Sequence, residues 1–138
     1  MTVHQRRLKL IEFAIGATQF ECQVASWKLN NNSADGDKQY TFCPDGEFRE
    51  ETDPDYSLDL TFFADWRSGG ISDFLTQNDG EDATFSLDHH PDVAAEHVTW
   101  TGTLRVKAPS VGGDARKTEQ TQVTLMIIGQ PVFTREVP

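Results

Sequence analysis

Asp88, His89, His90, Asp92, Glu96 and His97 form the one stretch of this 138-residue chain where metal-binding side-chain types gather, and imidazole–carboxylate sets of this kind hold zinc or activate water. Their spacing argues against that chemistry. His89 and His90 are adjacent and point to opposite sides of an extended backbone, Pro91 restricts the chain, and no HExxH sets two imidazoles one helical turn apart. A solvated turn accounts for these residues better than a metal site. No GxSxG, P-loop, GxGxxG or Cys/His nucleophile pair occurs, and the carboxylates fall in turns more than on strands. No catalytic residue, metal ligand or cofactor is therefore expected.

The other reactive side chains read as structural. Cys22 and Cys43 are the only cysteines and show no CxxC spacing. Cys22 lies in an alternating run that would turn it inward and Cys43 precedes Pro44 in a turn, so free buried thiols are favoured over a disulfide. Trp27, Trp66 and Trp100 are the residue type from which a sugar-binding platform is built. Trp100, however, shares the parity of Val98 and Leu104, which favours burial, and Trp66 in a polar turn before Gly69-Gly70 is the one suited to a contact surface.

The elements that would position these residues are strands. An apolar run from Leu8 through Ile15 is broken by Gly16-Ala17 and reads as a first strand. Phe20, Cys22 and Val24 alternate with Glu21 and Gln23, giving a half-buried second strand that continues toward Trp27 and Leu29 and is lost at Asn30-Asn31-Asn32. Leu58, Leu60 and Phe62 alternate with Asp59 and Thr61. Ile71, Phe74 and Leu75 fall at i, i+3 and i+4, an apolar stripe on a short helix that stops before Asn78-Asp79-Gly80. Ala83, Phe85 and Leu87 predict another strand, ending in a turn at Asp88. The clearest one-sided strand runs over 98–107, with Val98, Trp100, Leu104 and Val106 on one face and Thr99, Thr101, Thr103, Arg105 and Lys107 on the other. In a last strand over 121–128, Val123, Leu125 and Ile127 oppose Met126 and Ile128, so both sides should meet something apolar. The sum is one mainly β domain over 1–138, an antiparallel sandwich or partly closed barrel with one short flanking helix.

Two long loops interrupt that pattern. Residues 30–54 are polar and acidic, relieved only by a short strand or hairpin arm at Gln39-Tyr40-Thr41-Phe42-Cys43, and exceed the length that small domains leave unstructured without a functional reason. The stretch reads as a projection that orders against a neighbour. A second loop covers about 108–120 and is flanked by Lys107, Arg116 and Lys117.

Length and charge narrow the classes. A 138-residue domain can bury roughly two thirds of its unfolded surface, so the core needs neither metal nor disulfide. Twelve basic against twenty-two acidic side chains, net −10, repel phosphate backbones and anionic membranes, which disfavours sequence-specific DNA binding. Arg6, Arg7 and Lys9 are followed by no clean apolar segment, because Glu12 and Gln19 interrupt it, so neither a signal peptide nor a membrane span is expected.

Several short pieces recur in a fixed order: Phe20-Glu21-Cys22-Gln23-Val24 with Lys28-Leu29, then Tyr40-Thr41-Phe42-Cys43, the strand over 58–66, and Ile71-Ser72-Asp73-Phe74-Leu75. Gly102-Thr103-Leu104-Arg105-Val106-Lys107-Ala108-Pro109, Val111-Gly112-Gly113 and Ile128-Gly129-Gln130-Pro131 complete it. In that order, over most of its length, the chain resembles the major tail tube proteins of long non-contractile-tailed, siphovirus-type phages. The type VI secretion tube proteins look similar in architecture.

The resemblance implies a structural virion protein of the phage tail, assembled in the host cytoplasm, with no enzymatic activity. It implies homohexameric rings stacked into a hollow conduit, with lumenal strands continuing from subunit to subunit, partnered by a tape-measure protein and by terminator and baseplate proteins. Viral DNA would pass without specific binding: six copies at −10 give roughly −60 per ring, a wall that repels it. Loops and termini would tie rings together, which carries over to Asp35, Asp37, Tyr40, Phe42, Asp45, Glu47, Glu50, Glu51 and Trp66, and to Lys107, Pro109, Arg116 and Lys117. The ends, 1–7 and 133–138, carry over less directly. The second loop, flanked by Lys107, Arg116 and Lys117, would pair with the acidic first loop of an adjacent ring and so set stacking direction. The alternatives are another ring-forming tail component, a tube terminator or baseplate hub ring, and a monomeric glycan-binding β-sandwich module.

Overall fold

A computed structural model describes residues 2–136. Strands β1 (Ile11–Ile15), β2 (Thr18–Gln19) and β3 (Val24–Asn31) are followed by β4 (Lys38–Tyr40), β5 (Glu47–Arg49) and β6 (Tyr56–Phe63). Then come helix α1 (Ile71–Gln77), β7 (Asp82–His89), a 3₁₀ turn at Ala94–Glu96, β8 (Val98–Arg105) and β9 (Gln120–Arg135). Seven strands make one antiparallel sheet in the order β2-β1-β7-β8-β9-β6-β3, while β4 and β5 pair only with each other.

That order forces the sheet to curl. β2 and β3 are its two edges, yet only residues 20–23 separate them in sequence. Laid flat, seven strands at about 4.8 Å spacing would hold their edges about 29 Å apart. Five Cα steps span at most about 18 Å. The turn is also tied to both halves: Phe20 donates its backbone N–H to the Phe13 carbonyl at 2.8 Å, and Phe63 donates to Gln23 at 2.9 Å. Of the two forms the sequence leaves open, the chain takes the partly closed barrel, a half-barrel, because a single sheet wraps its own apolar face and no second sheet is needed.

The inner face carries the core: Phe13 and Ile15 from β1, Leu58, Leu60 and Phe62 from β6, Phe85 and Leu87 from β7, Leu104 from β8, and Val123, Leu125 and Ile127 from β9. Helix α1 adds Ile71 and Leu75, with Phe74 packed on Phe20 at 5.4 Å between ring centroids, at the end where β6 finishes. Ser72, in the first turn of α1, is wholly buried, and its Oγ accepts the Asp65 N–H at 3.2 Å. Ser72→Ala strands that donor, and urea unfolding should show a loss of about 1–3 kcal/mol.

Four local expectations change. Residues 20–23 form the edge-joining turn and not a strand, so β3 begins at Val24 and Cys22 is exposed; Cys43 is exposed as well, and both thiols are free. β7 runs on to His89 because His89 pairs with both Ile11 and Val98. β9 is twice its expected length: Gly129, at φ 77°, gives the bend that lets the chain leave β6 and continue along β8 to Arg135. Finally, no second layer covers the outer face of β9 among the described residues. Met126 and Ile128, expected between two apolar surroundings, are 50% and 46% exposed, and Val132 follows them at 57%.

Candidate functional site

The hairpin β4–β5 grows out of the sheet between β3 and β6 as an arm. Its register is Lys38↔Arg49, Gln39↔Phe48 and Tyr40↔Glu47. The expected hairpin arm is thus present, and it orders on its own hydrogen bonds. Asp55 donates its N–H to Ser33 Oγ, Thr52 Oγ1 bonds the Ala34 carbonyl, Arg49 reaches the Gly36 carbonyl and Lys38 pairs with Glu47 at 3.0 Å. At the tip Gly46 donates to Cys43; a Cβ at Gly46 would overlap Thr41 Oγ1.

No arm side chain reaches the core. Tyr40, Phe42 and Phe48 are exposed, Phe42 completely, and Asp35, Asp37, Asp45, Glu47, Glu50 and Glu51 stand in water. Two-stranded hairpins are marginal alone. This one holds three aromatic rings in solvent, an unusual concentration of exposed apolar surface.

The register places the second loop away from the arm. Along β6 the arm leaves at Tyr56, opposite Ile127, while Phe63 at the other end lies opposite Gln120, where the 108–120 loop arrives. Eight strand residues, about 25 Å, separate them. Near the loop, Trp66 donates its indole N–H to Glu119 at 3.3 Å and is 42% exposed. Arg116, at φ 65°, and Lys117 are exposed and make no ion pair among the described residues. Lys107 is exposed in a groove with Thr124 and Met126, where β8 has left β9. Pro109 is buried, so it anchors the loop instead of presenting it. The sequence-predicted residues therefore divide between the two ends of β6.

The acidic charge divides too. Eight carboxylates and two cations occupy 33–55, whereas the outer face of the sheet is largely Thr, Ser and Gln. Asp59 there is held by Thr124 at 2.7 Å and Asn30 at 2.8 Å.

Sequence reasoning missed a third feature, the open mouth of the half-barrel beside the arm's base. A depression of about 510 Å³ is lined by Leu8, Trp27, Leu29, Tyr56, His89 and Trp100, with Lys28 and Asn31 at its margin. Trp27 stands edge-on to His89 at 5.2 Å, and Trp100 meets Phe133 at 5.1 Å. Trp100 is half-buried here and not fully within the core. The three tryptophans make no common platform, since Trp66 lies at the far end. The mouth's only sequence signal was the parity of Trp100 and Leu29; its assembly depends on the curl.

The expected solvated turn at 88–97 is also part of this end. His90 takes a φ of 54°, which folds its ring back onto His89, so the two imidazoles stack at 4.2 Å instead of pointing apart. Trp27 Nε1, His90 Nδ1 and His97 Nε2 are shut off from water without a hydrogen-bond partner. No three metal-ligating side chains converge among the described residues. Glu96 pairs instead with His4 and Arg6, which hold its carboxyl below the usual value, while a hydrogen bond and charge from Asp88 raise Glu12.

Burial, then the charge of His90, lowers His89 below its ordinary value of 6.5. The fold therefore prefers neutral His89, and the unfolded chain takes up that proton first, so stability falls as pH drops through and below 6.5. Melting temperatures at pH 7.5 and 5.5 should show the loss, and His89→Gln should reduce it. Glu12 works in the opposite sense, but only toward the carboxylate range.

These features define a class by architecture: a curled antiparallel half-barrel with one helix, a projecting two-stranded arm and an open aromatic mouth. The same fold occurs in a solved chain described as the tail of an empty GTA particle, computed with helical refinement and C6 symmetry. The TM-score is 0.62 at 15% identity, covering 91% of this chain and 94% of that one. No family model and no curated relative matches the sequence. Val137, Pro138 and Met1, parts of the termini expected at ring contacts, lie outside the described residues.

Proposed function

We propose that this chain is a tail tube subunit, in which six copies close a ring and rings stack into a conduit for genome ejection. The observation that carries the reading is the fold shared over nearly the whole length with a tail chain of C6 symmetry. The chain's own surfaces support it. An acidic arm at one end of β6 and a loop presenting Arg116 and Lys117 at the other are what head-to-tail stacking needs, because each ring then offers acid to those cations of the next. Arg116 and Lys117 would meet the band of Asp35, Asp37, Glu50 and Glu51.

Two rows of backbone are also open. β3 is an eight-residue edge, and the first half of β9 pairs only with β6. Joining such edges across subunits removes a hazard that a lone molecule carries. Met126, Ile128 and Val132 would be covered by the same assembly.

The tape-measure protein, the tube terminator and the baseplate are its partners in this reading, and the virion tail its place. A terminator or hub ring of the same fold is the nearest alternative and would form one ring without propagating. The role is structural and non-catalytic. Sedimentation velocity across a concentration series tests it: mass should rise to a ring and beyond, and less so at high salt, where the arm–loop attraction is screened. Arg116→Glu with Lys117→Glu should halt growth at single rings. A sharp monomer at every concentration would contradict the proposal.

A further inference from the structure

If copies close a ring, what covers the aromatic mouth can be argued from symmetry. Subunits of one ring share one orientation, so with β6 taken along the ring axis, as in the stacking above, a donor and an acceptor on the same end of the chain meet between neighbours in a ring. Those on opposite ends meet between rings. The arm springs from Asn31 and Tyr56, and both line the mouth. Arm and mouth are therefore on the same end.

We propose that the mouth is a socket for the arm of the adjacent copy in the same ring, with Phe42 seated among Trp27, Tyr56 and Trp100. The proposal rests on the ring reading above and adds what the ring contact is. The chain's own arm does not fill the socket: Phe42 is fully exposed and no residue between 32 and 55 lines the depression. Ten residues from Asn32 to Phe42 reach up to about 33 Å in extended form, comparable to the width of a domain whose radius of gyration is about 14 Å.

Charge favours the same occupant. The segment 33–55 carries eight acids against two bases. Lys28 borders the socket, and the adjoining depression of about 460 Å³ is lined by Arg6, Arg7 and Lys9 against the single acid Asp92, with Leu8 between the two depressions. Of these cations only Arg6 has an ion pair among the described residues. An acidic arm with an apolar tip matches a basic rim around an apolar pit. The Trp27 indole Nε1, on a residue that lines the depression, is buried without a hydrogen-bond partner and marks this end as one that is incomplete in the single chain, since buried groups of this kind nearly always find partners. An arm laid across its neighbour still turns carboxylates outward, toward Arg116 and Lys117 of the next ring, so ring closure and stacking use different faces of one device.

Cys43 sits beside Phe42 and is exposed, so it carries the probe. In a Cys22→Ser background, Cys43 is labelled with benzophenone-maleimide and mixed with ¹⁵N-labelled unmodified protein. Assembly is scored by electron microscopy, and crosslinks are mapped by mass spectrometry. Mixed-isotope crosslinks to Leu8, Trp27, Tyr56 or Trp100 are expected. Mixed crosslinks confined to 108–120 would overturn the socket and assign the arm to stacking alone, and crosslinks within one chain would overturn it equally. Rings absent from unlabelled wild-type protein would instead sink the ring reading, which is scored separately. Phe42→Ala is expected to weaken ring closure roughly 30-fold per contact, as for a central aromatic anchor, with an unchanged monomer melting temperature. Undiminished ring formation by that variant would also overturn the proposal.

Discussion

Replacing residues 37–50 by a short Gly-Ser linker should abolish assembly while leaving the melting temperature of the single chain within about 2 °C. The two halves of that expectation have separate causes. No side chain from β4 or β5 belongs to the core cluster, and the two-stranded sheet shares no ladder with the seven-stranded one. The bonds that fix the arm's root, Asn32 with Asp55 and Ser57, lie outside the deletion. Exposed positions of this kind change stability by only about 0.5 kcal/mol. Assembly, by contrast, loses the aromatic tip and four of the eight arm carboxylates, Asp37, Asp45, Glu47 and Glu50. Differential scanning calorimetry and light scattering on one preparation separate the effects. A large drop in melting temperature would show that the arm supports the fold, which the structure denies.

Phe62→Ala should have the largest effect on folding, about 3–5 kcal/mol. Phe62 is wholly buried on β6, which lies between β3 and β9 and faces the closed end that α1 packs against. Removing the ring leaves a cavity that neighbours on paired strands cannot easily collapse into, because their register is fixed on both sides. Against a total stability of about 5–15 kcal/mol, that loss leaves the chain marginal and lowers the melting temperature by about 10–20 °C. Guanidinium unfolding with an unchanged slope would confirm a native-state effect. The exposed Phe63, one position along, provides the comparison: Phe63→Ala should stay within about 1 kcal/mol.

Much of the fold was legible because period-two alternation reports one buried face. Leu58, Leu60 and Phe62, Phe85 with Leu87, and Val123, Leu125 and Ile127 were all readable as inward, as was the helical stripe Ile71, Phe74 and Leu75. Alternation misleads where a chain must turn: Phe20 and Val24 do face inward, yet Cys22 between them sits in the turn that joins the sheet's edges. It says nothing about closure either, so the choice between sandwich and half-barrel waited on the strand order. The arm was visible as an acidic excess punctuated by Tyr40 and Phe42, and Trp66 as an aromatic in a polar turn. The mouth was not, since Leu8, Trp27, Tyr56, His89 and Trp100 come from five separate segments that only the curl brings together. Nor was the stacking of His89 on His90, which needs a positive φ that no spacing announces.

The measurement that bears most directly on the central claim is negative-stain electron microscopy of the purified protein, concentrated at moderate salt, with class averages of end-on views. Hollow rings of six-fold symmetry are expected and, from the same grids, tubes of uniform diameter. Dispersed small particles at every concentration, or rings of another symmetry, would contradict that claim.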